Sequence, residues 1–494
     1  MNNMGIVFNQ SFKNTLILIL GFAIGGVNVL FLYTHFLEAE YFGLVTFLLS
    51  SANLVMPLLV FGMQHTIVKF FSSYRSREEQ DNFLVLALFL PLLFIVPLAF
   101  LGTIFYNEIA QFLARENIII ERYTYLIFAI AIFMGYFEVF YAWSRVQLRS
   151  VFGGFVREIF ARICISALLI GVYLGWIDNE TFVYAVAVVY LLRMLIMKVY
   201  ALWVYFPRYR GFTVPANIRE IMSFSVYIIL AGSAGTILLE IDKFMIPQLT
   251  DIAEVAYYSV GVYIASVIAI PNRAMQQIIN PITAKELNAN NLQEVENLYR
   301  RSSLNLLIVG GLLFLLINSN IREIYEFIDK PEYSAGMSIV LIISLSELIK
   351  LSLGTNGAIL TNSSLYRSLF YFSLSMAASV FILNKVLIEQ MGIEGAALAT
   401  LIVVLVFGVI RVYYVNRKLG MQPFDRRTIL VLLLIGMIFA IFFSIQLNVP
   451  PILAIVIKSV AILIVFVFLV LKLRISEDLN SFFDSFVGSS NKDS

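Results

Sequence analysis

TFVYAVAVVYLLRMLIMKVYALWVYF, Thr181–Phe206, is the stretch that decides the fold. It is almost continuously apolar and long enough to cross a bilayer as a helix, which takes about 20 such residues. Arg193 stands near its middle, roughly a dozen residues from either end. A guanidinium at that depth costs about 2.5–3.5 kcal/mol unless it reaches water or a partner. The stretch therefore makes two statements: the chain enters a membrane, and something inside that membrane accepts positive charge.

The same pattern recurs along the chain. Of its 494 residues 60% are hydrophobic and 13% charged, about half the charge of a soluble protein. Reading for apolar runs of spanning length predicts fourteen helices. The first seven are at 14–35, 41–66, 83–106, 123–145, 155–176, 181–206 and 219–247. The rest are at 255–284, 302–320, 334–358, 366–387, 393–416, 428–447 and 450–473. With those nearer the span ends assigned to the loops, six cations remain inside: Arg162, Arg193, Lys243, Arg273, Lys350 and Lys458. Left in lipid, six would cost roughly 15–20 kcal/mol together, so a hydrated, anion-seeking interior is expected.

With the N-terminus placed inside, the cytoplasmic loops hold 23 Lys/Arg against 5 on the other face. That asymmetry predicts cytoplasmic termini and an even number of spans. Trp143, Trp176 and Trp203 fall at span ends, where interface anchors are expected. The first helix reads as uncleaved, because no small-residue site follows a short apolar core. Segment 285–301 reads as an amphipathic helix lying on the cytoplasmic surface, and the tail 475–494 as polar and frayed beyond Val487. Ala39-Glu40-Tyr41-Phe42 is echoed by Ala253-Glu254-Val255-Ala256, and Gly175 by Gly392, at nearly equal offsets. Two parallel six-helix lobes, 1–210 and 211–420, would produce both echoes, leaving two added spans at 421–474.

Several functions are disfavoured. A single cysteine, Cys164, allows no internal disulfide, and His35 and His65 make no histidine cluster for a metal. No phosphate-cradling G-x-x-x-x-G-K-[ST] loop is present, which disfavours ATP-driven transport by this chain alone. Short outer loops without a His/Asp catalytic set argue against a membrane enzyme. Nothing points to nucleic acid.

Three segments carry a family resemblance. FLEAEYFGLVTFLLSSANLVMPLLVFGMQHTIVKFFSSY (Phe36–Tyr74), residues 238–286 beginning LLEIDKFMIPQL, and residues 352–401 beginning SLGTNGAIL resemble, in order, three regions of one family. These are the Wzx-type polysaccharide flippases of the multidrug/oligosaccharidyl-lipid/polysaccharide exporter superfamily. The resemblance implies an all-α, fourteen-helix fold with two lobes about a central cavity. It also implies alternating-access flipping of an undecaprenyl-diphosphate-linked oligosaccharide across the bacterial inner membrane. O-antigen, capsule or exopolysaccharide units would be the cargo. A polysaccharide polymerase, glycosyltransferases and membrane lipids would be its partners. A lipid II flippase and a multidrug/cation antiporter of the same superfamily are the alternatives; the basic interior disfavours the second.

A diphosphate needs positive charge in a low-dielectric site, and arginine suits it through its bidentate fork. Arg273 and Arg193, one in each expected lobe, are the first candidates, with Lys350 and Arg162 behind them. For each the alternative is a structural ion pair. Glu347 and Lys350 stand i, i+3, Glu158 and Arg162 i, i+4, and Glu240 and Lys243 i, i+3, so each pair can close on its own helix. The resemblance adds a gating or coupling role for Asp242 and Lys243 at the end of span seven. Glu138, at helical spacing from Tyr141 and Arg145, is a candidate proton or Na⁺ site; the alternative is neutralisation by Arg145 or by a partner on span five. Gln64 and His65 could bond sugar or phosphate; a solvated helix end is the alternative for the histidine. Pro247, Pro271 and Pro281 should break or kink spans seven and eight. Lys458, outside both lobes, reads as snorkelling to headgroups. No cofactor is expected beyond a coupling proton or Na⁺.

Overall fold

The computed structural model describes residues 3–208 and 213–481; at residues 3–9, 11, 12, 230–234, 274, 277 and 366 it describes the backbone alone. The expected lobe boundary at 210–211 and the tail beyond Val487 lie outside the described residues. The described chain is helical, without a strand. Twelve helices among the described residues are long and apolar enough to cross a membrane, so the protein is a multi-pass membrane protein. The expected fifth and seventh spans are not among the twelve, yet both are helical. The fifth is a continuous run of turns from Val151–Phe155 through Ala161–Tyr173, loaded with Arg157, Glu158 and Arg162. The seventh is the helix Ile218–Met245, which contains residues 230–234.

Local chemistry starts and stops these helices. Ser76 and Glu79 form a reciprocal capping box at Arg77–Phe89. Asp178 accepts from the amide of Thr181 at 2.7 Å to open Asn179–Val204, and Asp425 from that of Thr428 at 3.0 Å to open Arg426–Ser444. Such caps satisfy N–H groups that a helix start leaves free, worth about 1 kcal/mol each. Pro247 sits in a 3-10 turn just after Met245, and Pro271 opens Ile270–Asn288 after another such turn. Pro281 is accommodated inside that helix. The two sequence echoes share backbone roles: Ala39 and Ala253 each begin a helix, and Gly175 and Gly392 each end one at positive φ, +70° and +59°. A Cβ-bearing residue adopts that conformation only with strain.

Two compact units organise the chain: residues 1–259 with 373–396, and residues 260–372 with 397–494. In the first, helix Ile119–Val146 is the hub, packed against Ala39–Leu59, Met63–Phe70 and Asn179–Val204. Its core includes Phe83, Phe137, Trp143 and Met197, all without solvent exposure. Trp143 is therefore no interface anchor: it is enclosed, and its indole N–H donates to the Tyr205 carbonyl at 3.2 Å. Trp176 and Trp203 are largely exposed, as anchors are.

In the second unit, helix Leu292–Asn318 packs against Ile270–Asn288, Met337–Ser352 and the last two helices, Arg426–Ser444 and Pro451–Lys472. Segment 285–301 is not a surface helix of its own. The helix Ile270–Asn288 runs into it, a turn follows, and Asn291 caps the next helix through the Glu294 amide at 3.4 Å. The amphipathic pattern came from two helix ends abutting.

Candidate functional site

The interior of the first unit is ionic. Helix Ile119–Val146 supplies Glu138, and the turns facing it supply Arg157, Glu158 and Arg162. Those turns include a π-helical segment, Val156–Phe160, a local widening that often marks functional positions. Arg157 Nε lies 3.7 Å from Glu138 and 3.4 Å from Glu158; Arg162 Nη1 lies 3.5 Å from the other Glu158 oxygen. Arg162 also donates to the Glu158 carbonyl at 3.1 Å. Its guanidinium rests against Gly21, where an added Cβ would come within 2.7 Å of Nη1. The partner of Glu138 is thus on span five; Arg145 instead lies over the Tyr141 ring, 4.9 Å from its centroid.

Arg193 is the cation this chain of pairs leaves over. Its guanidinium carbon sits 3.9 Å above the Phe137 ring centroid and 5.5 Å from that of Tyr190. Its Nε is buried without a hydrogen-bond acceptor, and no described carboxylate lies within 4.0 Å of it. It is nonetheless in electrostatic range of Glu138, Arg157 and Glu158. Three arginines against two carboxylates give this interior a surplus positive charge, and the ring face orients the guanidinium without neutralising it.

A second polar group closes the end of helix Ile218–Met245. Glu240 accepts from Ser50 at 2.8 Å, from Lys243 at 3.3 Å and from Asn53 at 3.4 Å. Asp242, 4% exposed, takes Asn384 at 2.7 Å on one oxygen and the Tyr258 hydroxyl at 2.5 Å on the other. Neighbours in sequence, Asp242 and Lys243 therefore point to different partners. Tyr258 and Asn384 are absent from the sequence-based candidates. Asn384 could have been flagged as an amide within an apolar run, but its meeting with Asp242, 142 residues away, has no local signal.

The second unit holds the remaining candidates. Lys350 pairs with Glu347 at 2.7 Å on their shared helix. Arg273 is exposed and makes no ion pair or hydrogen bond with the described residues. Lys458 does not snorkel. It is 3% exposed and bonded to Glu323 at 2.6 Å, tying Pro451–Lys472 to the short helix Ile321–Ile328. Back in the first unit, Gln64 is buried with its Oε1 unbonded, while His65 beside it is exposed. Both stand on the helix Met63–Phe70, whose step of about 100° per residue directs one side chain inward and the next outward.

Comparison with known proteins decides the family. The model of the family described as "Polysaccharide biosynthesis protein" matches residues 11–283, more than half of the chain. The chain belongs to the polysaccharide biosynthesis protein family. No curated protein sequence matches this family member. Its fold is similar to that of the lipid II flippase MurJ in an inward closed conformation: TM-score 0.65 at 15% identity, covering 92% of this chain and 98% of that one. An inward-facing MATE-family multidrug transporter of the MOP superfamily matches at TM-score 0.57 and 14% identity, over 82% and 94% of the two chains. An outward-facing MATE-family multidrug transporter matches at 0.55 and 12%, over 83% and 95%. At these identities the likeness concerns the fold. Family and fold together make this chain a multi-pass membrane protein of the polysaccharide biosynthesis family with a fold like that of MurJ and the MATE-family transporters.

Proposed function

We propose that this protein moves an undecaprenyl-diphosphate-linked oligosaccharide from the inner to the outer leaflet of a bacterial cytoplasmic membrane by alternating access, as a transporter and not an enzyme. Arg193 carries the reading. A permanently charged guanidinium, held against Phe137 with a buried, unbonded N–H and no carboxylate of the described residues within 4.0 Å, is prepared for an anion brought from outside the chain. An organic-cation substrate would be repelled by the same surplus charge. Arg162 is partly engaged by Glu158 and plays a supporting role; Arg273 offers an exposed cation in the other unit. Lys350 is engaged by Glu347 and contributes less. A coupling proton or Na⁺ would fall to an enclosed carboxylate, Asp242 first, which is 4% exposed and takes hydrogen bonds from Asn384 and Tyr258.

The test is binding of undecaprenyl diphosphate, without sugar, to purified protein in nanodiscs. Losing a charge-assisted pair should weaken Arg193→Gln binding roughly 10- to 100-fold and leave Arg193→Lys between it and the parent. The variant should also fail to complement a flippase-null strain at unchanged membrane levels. Parental affinity in Arg193→Gln would overturn the assignment.

A further inference from the structure

We infer that a neutral cleft in the second unit, between helices Ile270–Asn288 and Asn356–Asn362, reads the sugar of the transported lipid; this rests on the function proposed above. The cleft is about 410 Å³ in volume. One wall is a stripe of amides at i, i+4 and i+8: Asn272, Gln276 and Asn280, of which the last two line the main cleft and Asn272 a small pocket continuing it. Thr361 and Asn362 line the opposite wall, beside Gly357. None of the described lining residues is charged. An amide presents a donor and an acceptor side by side, the complement of neighbouring sugar hydroxyls; phosphate or ammonium would call for a charged wall. Asn280 and Thr361 are exposed, and the Asn280 amide bonds to none of the described residues.

Position supports the same occupant. The apolar span Ala253–Arg273 ends where the stripe begins, and the helix carries the amides beyond it. Along the chain the order is apolar span, exposed Arg273, then Gln276 and Asn280, about 4.5 and 10 Å further along the axis. A lipid-linked saccharide has the same order of parts: hydrocarbon, diphosphate, sugar. The wall also has a fixed seat. Gly354 turns the chain at φ +50°, and a Cβ there would meet the Ser303 amide nitrogen at 2.6 Å, so this glycine seats the Asn356–Asn362 helix closely on Leu292–Asn318. At Gly357, by contrast, an added Cβ meets nothing within 4 Å. A larger side chain at 357 would therefore leave the cleft wall without a clash at its Cβ and enter the cleft.

The experiment is photo-cross-linking of the full chain in its own cells. A benzophenone amino acid is installed at position 361, or as a control at position 309, an exposed valine outside the cleft lining, and the purified protein is stained for periodate-sensitive glycan. Position 361 should capture glycan and position 309 none. Gly357→Phe should lower the capture at least about tenfold at unchanged protein level. Mild acid should release the captured sugar from a diphosphate-linked lipid. Captured glycan without such a lipid would sustain the cleft and overturn the proposed cargo. Absence of glycan while Arg193-dependent binding of undecaprenyl diphosphate persists would overturn the cleft alone. Capture that is equal at 309, or indifferent to Gly357→Phe, would overturn it as well.

Discussion

Replacing Lys458 with methionine should destabilise the second unit sharply. The ammonium is 3% exposed and bonded to Glu323 at 2.6 Å, while the second Glu323 oxygen is buried with no partner. Lys458→Met would leave that carboxylate enclosed with both oxygens unbonded. Breaking a buried pair from one side costs about 3–5 kcal/mol. The lower end applies, because Glu323 can shed part of the penalty by taking up a proton. About 3 kcal/mol corresponds to a fall of roughly 6–12 °C in unfolding midpoint for a unit of this size. Thermal unfolding of detergent-purified protein gives the midpoint when followed by loss of helical circular dichroism, since all three tryptophans lie in the first unit. The double variant Lys458→Met with Glu323→Leu removes both charges and should recover most of the loss, since apolar replacements of buried pairs are often neutral. A single variant unfolding within about 2 °C of the parent would refute the reasoning and return Lys458 to the headgroups. A double variant no better than the single would show that the pair's charges are not what matters.

Gly43→Ala should be poorly tolerated, because its Cβ would fall 1.9 Å from the Ile252 carbonyl oxygen; a loss of about 1–3 kcal/mol in the same thermal assay is expected. Gly357→Ala, with open space around its Cβ, should instead leave the midpoint unchanged or raise it by up to about 1 kcal/mol equivalent. The Asp478 carboxyl is held below its usual range chiefly by the Arg301 guanidinium that donates to it, so its folded form binds a proton less readily than the unfolded. Its contribution is present above the ordinary carboxylate pKa, about 3.9, and is lost as pH falls through the lowered folded value. Partial exposure keeps it below about 1 kcal/mol. Asp478→Asn should thus lower the midpoint at pH 7 and converge with the parent in acid; a constant gap across pH would contradict this. Asp242→Asn should abolish ion-coupled accumulation while Arg193-dependent substrate binding stays within about threefold, measured in proteoliposomes and nanodiscs respectively.

Much of the fold is legible because bilayer thickness sets a ruler that apolar runs either meet or miss. The spans, the proline breaks after Met245 and before Ile270, and the positive-φ glycines 175 and 392 all follow from sequence, backbone rules and length. The pairs Glu158–Arg162, Glu240–Lys243 and Glu347–Lys350 were legible too, since helix pitch alone brings i, i+3 and i, i+4 side chains together. Three things were not. Trp143 is enclosed although it lies near a span end, Lys458 meets Glu323 across 135 residues, and Asp242 turns from Lys243 to Asn384 and Tyr258. Hydropathy says that a residue is in the membrane and is nearly silent on which face looks inward, because lipid and protein interior are equally apolar. By itself the sequence determined that six cations stand within helical segments, and on which helices. The tertiary structure decided which of them is satisfied, since that depends on the carboxylates the fold brings within about 4 Å, and it left Arg193 with an aromatic ring and no described carboxylate at that range.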